Sequence, residues 1–230
     1  MEHARRGAAV ALGVLLIVLA LATVVGPRLR PRSATAAAQA VGSVAVAQSP
    51  GTPVRYVVAD GSEARYRVRE QLVGLTFPND AVGTTRALDG HITVDAQGRV
   101  LGSDSRIAVD LRALQSDEPR RDNYLRRRTL ETDRYPLAVL VPREVRRVPV
   151  PLPETGTVPF ELVGDLTVRD ATRRLIWEGT ATFQGPSVRV LARTAFRFGD
   201  FGLSIPRVSV VLSVEDHIRL EADLVLRGSP

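Results

Sequence analysis

From Arg55 to Leu226, apolar and polar residues alternate with a period of two, segment after segment. That period sends successive side chains to opposite faces of a strand, whereas a helix needs about 3.6 residues per repeat. Ala64, Tyr66 and Val68 alternate with Arg65, Arg67 and Arg69, and Leu88, Gly90, Ile92 and Val94 with Asp89, His91, Thr93 and Asp95. Ile107, Val109 and Leu111 oppose Arg106, Ala108 and Asp110, and Phe160, Leu162, Gly164, Leu166 and Val168 oppose Glu161, Asp165 and Thr167. Leu175, Trp177, Ala181 and Phe183 oppose Arg174, Glu178 and Thr182. Val188, Val190, Ala192, Thr194, Phe196 and Phe198 oppose Arg189, Arg193 and Arg197. Two further runs, Val208 to Val214 and Ile218 to Leu226, read as strands joined by a tight Glu215-Asp216-His217 connection. One wet and one dry face in every segment is an antiparallel pattern. About eight such strands in one domain must curl into a barrel or split into a sandwich.

Two segments break the pattern. Asp117-Glu118-Pro119 is a helix start, and Arg120 to Leu130 has room for about three turns. Val148-Pro149-Val150-Pro151-Leu152-Pro153 is too rich in proline for a sheet interior and reads as an extended surface loop.

Ahead of the strands, Gly7 to Pro27 carries no charge, and Ala8 to Val25 is mostly Ala, Val, Leu and Ile. As a helix this run would span about 27 Å, close to the hydrocarbon thickness of a bilayer. Residues 1–27 are expected to form a single transmembrane signal-anchor. The rival is a long signal peptide cleaved near Ala34-Thr35-Ala36 or Ala38-Gln39-Ala40. Residues 28–53, mainly Ala, Ser, Gly, Pro and Gln after the arginines, form a flexible linker. Residues 54–228 are the barrel domain, long enough for one core. Localisation follows: a single-pass cell-membrane protein with its barrel extracytoplasmic, or a secreted or periplasmic one after cleavage. Arg5 and Arg6 before the run and Arg28, Arg30 and Arg32 after it give little guidance on orientation, since large domains translocate largely regardless of charge.

Charge and composition exclude several functions. All 31 basic residues are arginine, but from Val54 onward 26 Arg face 24 acidic residues, so the domain lacks the basic excess of a nucleic-acid binder. No cysteine is present, which removes disulfides, thiolate metal sites and a Cys nucleophile. The three histidines, His3, His91 and His217, fall before the apolar run, on a polar face and in a turn, so no metal site is expected. No HExxH, GxSxG or phosphate-loop pattern occurs, so no catalytic residue and no cofactor is expected. The densest charged feature, Arg120 to Arg128, either meets anionic head groups or is a surface helix docked by Tyr124, Leu125 and Leu130 with its arginines in water.

The dry faces either fill a solid core or line a cavity, and eight strands is the size at which both occur. If they line a cavity, the interior candidates are Tyr66, Val68, Ile92, Leu166, Trp177, Ala181, Phe183, Val190, Ala192, Thr194, Phe196 and Phe198. Small residues among aromatics suit an elongated tunnel for a chain, gripped by Trp177 or Phe196.

Several segments, in order, resemble the YceI-like polyisoprenoid-binding family. Arg121-Asp122-Asn123-Tyr124-Leu125-Arg126 followed by Glu131-Thr132-Asp133-Arg134-Tyr135-Pro136 resembles its RDxHLR…YP signature. Gly164 to Arg173 resembles its G-x-LTIHGVTK hairpin, and Asp200-Phe201-Gly202 its closing DFG segment. Tyr56 to Val68 resembles its opening strand. The family's histidines are replaced here, by Tyr124 in the signature, Arg169-Asp170 in the hairpin and Gly61-Ser62 in the opening. The resemblance implies an all-β, lipocalin-like, up-and-down barrel that is usually exported and binds a long polyprenyl or quinone-type lipid without turnover. Its partners would be that lipid and, through the N-terminal helix, the cytoplasmic membrane, with a homodimer as a further option. Two rivals stand beside this reading: an enzyme or accessory protein of quinone or isoprenoid metabolism, and a solid structural barrel with no ligand.

Overall fold

In this computed structural model the described residues are 52–229, apart from Leu75 and residues 207–210. The expected membrane segment, residues 1–27, and nearly all of the linker lie outside them. Among the described residues no helix is long and apolar enough to cross a membrane.

Among the described residues, ten strands make one antiparallel sheet: β1 (Val54–Leu72), β2 (Asn79–Thr85), β3 (Leu88–Val94), β4 (Val100–Asp110), β5 (Gln115–Ser116), β6 (Leu137–Arg146), β7 (Thr155–Val168), β8 (Ala171–Gln184), β9 (Ser187–Phe196) and β10 (Val211–Ser229). Eight of them run β1-β3-β4-β6-β7-β8-β9-β10, and β10 returns to β1, which closes the barrel. The other two are continuations. Ala64–Glu70 of β1 pair with β2 while Val54–Val57 pair with β3, so β2 and β3 act as one interrupted strand. The short β5 pairs with β2 just beyond β4. Among the described residues, every ladder partner and the core lie inside one compact unit, Ala47–Pro230.

The alternation predicted the faces well and one connection badly. Glu215-Asp216-His217 is not a turn, because β10 runs unbroken from Val211 to Ser229. Val68 pairs with Ile218 and Glu70 with Val214, leaving these three residues opposite Arg69 as a bulge. Asp216 holds it by accepting the Phe198 backbone N–H at 2.9 Å. A polar triplet looks like a turn along the chain, but the partner strand keeps the ladder going on both sides of it. β2 and β6 carry no period-two signal. In β6 a buried Pro142 sits at a register shift, where its missing N–H interrupts no ladder.

The expected helix is α1 (Pro119–Tyr124), continued by a π-helical turn over Leu125–Thr129. Glu118 caps it, and the buried Asp122 accepts from Ser116 Oγ at 2.6 Å and from the Ser116 N–H. Arg121 reaches Glu70 on β1 at 2.8 Å and Asp117 at 2.7 Å. Polar ties therefore hold this helix as much as Leu130 does.

The core thickens at one end. Phe196, Phe198, Phe201, Leu203 and Ile218 pack with Val68 and Val168, and the Phe196 and Phe201 rings meet edge-on at 4.6 Å. Phe201, at 1% exposure, is the most enclosed of them.

Candidate ligand cavity

Beside the phenylalanine cluster, the interior is hollow. A cavity of about 240 Å³ reaches from Leu111 and Leu114, near the helix, to Val148 and Leu152 in the proline-rich loop. Enclosed sites for drug-sized ligands usually hold about 300–1,000 Å³. This volume suits a narrow chain better than a bulky ring system. The loop lies against the β3–β4 turn: a Cβ added at Gly98 would sit 3.4 Å from Val150 Cγ2 and 3.7 Å from Leu152 Cδ2.

The space has an identifiable cause. The register places Gly179, Ala192, Ala222, Ala64 and Thr85 in one row across β8, β9, β10, β1 and β2. Four members of that row, Ala192, Ala222, Ala64 and Thr85, line the cavity. No large side chain in this belt crosses the barrel, so the void persists where interiors are normally filled. At Gly179 a Cβ would collide with the Leu191 carbonyl, so this position cannot be filled either.

The lining is aliphatic and aromatic with few polar exceptions. Arg65 and Glu221 touch it, but they pair with each other at 3.5 Å, and Arg65 also pairs with Glu63. Tyr66 packs its ring over Gly83, where a Cβ would collide with it. Burial pushes the Tyr66 phenol up to about 12, so it stays protonated at neutral pH. Neither Tyr66 Oη nor Trp177 Nε1 has a hydrogen-bond partner, although both atoms are buried.

Of the twelve interior candidates, Tyr66, Ile92, Leu166, Trp177, Ala181, Phe183, Val190 and Ala192 line the cavity. Val68, Phe196 and Phe198 point inward but belong to the solid end. Thr194 is half-buried, and its hydroxyl donates to the Ile176 carbonyl at 2.7 Å. The same dry face thus lines a cavity along one part and packs solid along the other. Lining residues outside the candidate set include Ala64, Leu220, Ala222, Leu224 and Leu226, whose alternation on β1 and β10 could have found them. Leu140, Val145, Val148 and Leu152 had no periodic signal to follow.

Most charge is paired away from the cavity. His91 bridges Arg55 at 3.0 Å and Asp104 at 3.1 Å on the outer face, and no cluster among the described residues could hold a metal ion. Arg174 and Arg143 hold Asp165 below the usual carboxylate range through outward ion pairs. Arg120, Arg127 and Arg128 are exposed, while Arg121, expected in water, is tucked against Glu70.

The pattern of the YceI-like domain matches residues 56–226. Solved structures share the fold at low identity. A polyisoprenoid-binding domain from Saccharophagus degradans implicated in plant cell wall breakdown has a TM-score of 0.58 at 10% identity, covering 76% of this chain and 98% of that one. Burkholderia cenocepacia BcnA has a TM-score of 0.53 at 13% identity, covering 71% and 95%. The Campylobacter jejuni YceI protein has a TM-score of 0.50 at 13% identity, covering 70% and 91%. No curated protein matches this sequence.

Proposed function

The chain belongs to the YceI-like domain family, and from that premise we propose that its barrel encloses a long isoprenoid lipid and holds it without chemical turnover. The observation that carries this reading is the apolar cavity of about 240 Å³ that the belt of small residues helps to line. A threaded chain gains about 0.8 kcal/mol for each CH₂ taken out of water, so a narrow tunnel is enough for tight retention. The description of the Saccharophagus degradans domain as polyisoprenoid-binding supports the ligand class. The paired state of Arg65 and Glu221 supports binding over catalysis, since neither is free to act as acid or base. The hollow interior weighs against a solid structural barrel.

We place this barrel at the outer face of the cytoplasmic membrane, tethered by residues 1–27. The support is the uncharged Gly7 to Pro27 run. Full-length protein that stays with membranes through alkaline washing bears this out, and a soluble mature chain starting near Ala37 or Val41 refutes it.

The ligand reading is tested by mass spectrometry of organic extracts from residues 47–230 purified without detergent. A prenyl lipid near one equivalent is the expected result. Repeated absence, together with failure to take up added prenyl lipids, overturns it.

A further inference from the structure

Interior and surface meet in the proline-rich connection between β6 and β7. Residues 148–153, Val-Pro-Val-Pro-Leu-Pro, carry no polar side chain. Val148 and Leu152 line the cavity, while Val150 between them is 62% exposed, with Pro149 and Pro151 exposed on either side of it. Single apolar residues in water are ordinary, but three in succession joined to a cavity wall are not. The backbone also suits a medium poor in water. Pro149, Pro151 and Pro153 have no N–H, so every second residue brings no donor that needs a partner. Unpaired donors are what keep irregular backbone out of lipid. The charges at the base of the loop are already matched: Arg146 pairs with Glu144 at 2.7 Å and Glu161 at 3.0 Å, and Arg147 with Glu161 at 3.1 Å.

The register fixes which end of the barrel this is. Val54, the first residue of β1, pairs with Val94, the last of β3, and the turn after β3 brings Gly98 against Val150 and Leu152. The chain therefore enters the barrel beside this loop, through Thr52 and Pro53. An anchor upstream is tied to this end. The other end of β1 leads to an exposed apolar tip at Val73 and Phe77, the latter 78% exposed. Along β1, however, the packed Val68 stands between that tip and the lining residues Ala64 and Tyr66.

We propose that residues 148–153 dock on a lipid bilayer: Pro149, Val150 and Pro151 enter its interfacial layer, and Val148 and Leu152 line the passage by which a lipid chain reaches the cavity. The passage rests on the isoprenoid reading above; the docking does not. An apolar contact of this size is weak alone and adds to a tether. With the loop docked, a long chain moves from bilayer to barrel without crossing water, a crossing made harder by every CH₂ exposed.

The chain has no cysteine, so Val150→Cys and Phe77→Cys each supply one labelling site, both exposed and on opposite ends of β1. Full-length protein with a nitrobenzoxadiazole label at either site is placed in phosphatidylcholine vesicles. The label at position 150 is expected to brighten severalfold and to be quenched by spin-labelled lipid, in low and high salt alike, because the contact is apolar. The label at position 77 should keep its aqueous intensity. In the unlabelled protein, Val150→Asp should slow uptake of solanesol, a long prenyl alcohol, from vesicles at least about tenfold while leaving the amount held at saturation unchanged. Phe77→Asp should leave the rate as it is.

A label at position 150 that stays aqueous, or one at position 77 that enters lipid in its place, overturns the docking surface. So does a label at position 150 that is shielded only when the protein is concentrated, which assigns the loop to contact between copies. Uptake by Val150→Asp at the wild-type rate overturns the passage. Insertion at position 150 with no solanesol taken up by the wild type removes the isoprenoid reading and leaves the docking surface in place.

Discussion

The two halves of the barrel interior are written in the same alternating code and end in opposite states. At one end Phe196, Phe198, Phe201 and Leu203 close on Val68, Val168 and Ile218. Beside it the row from Gly179 through Ala192 and Ala222 to Ala64 leaves a void of about 240 Å³. The difference lies in side-chain volume along a cross-strand row. Polarity decides which face turns inward; volume, summed around a row, decides whether the inside is solid.

The sharpest way to break this comparison is to remove volume at the solid end. Phe201→Ala deletes the most enclosed aromatic ring and leaves a hole that its neighbours cannot close. The expected cost is about 3–5 kcal/mol, read as a lower midpoint in denaturant unfolding. A cost below about 1 kcal/mol would mean that the plug is itself loosely packed. Adding volume there is the next largest effect. Val168→Phe overfills a filled region and should cost about 1–3 kcal/mol, with lipid retention unchanged because Val168 does not line the cavity.

How much of this was legible in the chain follows from the same distinction. The inward and outward faces of β7, β8 and β9 could be read from Phe160–Val168, Leu175–Phe183 and Val188–Phe198, since alternation is local. The plug at Val68, Phe196 and Phe198 could not be told from the lining at Tyr66 and Val190, because that depends on which residues face each other across strands. Register brings Ala192 beside Gly179 and Ala222, and these lie far apart along the chain. The bulge at Glu215–His217 was hidden for the same reason: its partner, Arg69, is on the first strand. Val148 and Leu152 reach the cavity from a proline-rich loop that has no period at all.

Tyr66 sharpens the boundary between the two halves through pH. Its folded value near 12 lies above the unfolded value of about 10. The neutral phenol is therefore favoured in the folded state. The stability linked to it is fully present below about pH 10 and is lost as pH rises from there towards 12. Thermal unfolding of the wild type should fall over this window, and Tyr66→Phe should flatten that fall while matching the wild type at neutral pH. Identical alkaline profiles for the two proteins would show that this phenol is better solvated than its place in the cavity implies.

The smallest stability effect is expected at the belt, and it divides hollow from solid most directly. Ala192 lines the cavity between Gly179 and Ala222, and Arg193 beside it is exposed on the outer face. Ala192→Trp places an indole in the void. Where Val168→Phe meets packed neighbours, this ring meets space, so the lipid-free protein should unfold within about 1 kcal/mol of the wild type. Lipid uptake should nevertheless fall sharply, because the ring occupies the path of the chain. Arg193→Ala is the matched control, removing an exposed side chain from the same strand, and should change stability by no more than about 0.5 kcal/mol with lipid uptake intact. Unfolding of both variants with and without added prenyl lipid measures all four quantities. An Ala192→Trp protein that is destabilised as much as Val168→Phe, yet takes up lipid normally, would show that the belt is packed and that the ligand lies elsewhere. A disrupted Arg193→Ala protein would mean that the outer face of β9 carries part of the fold.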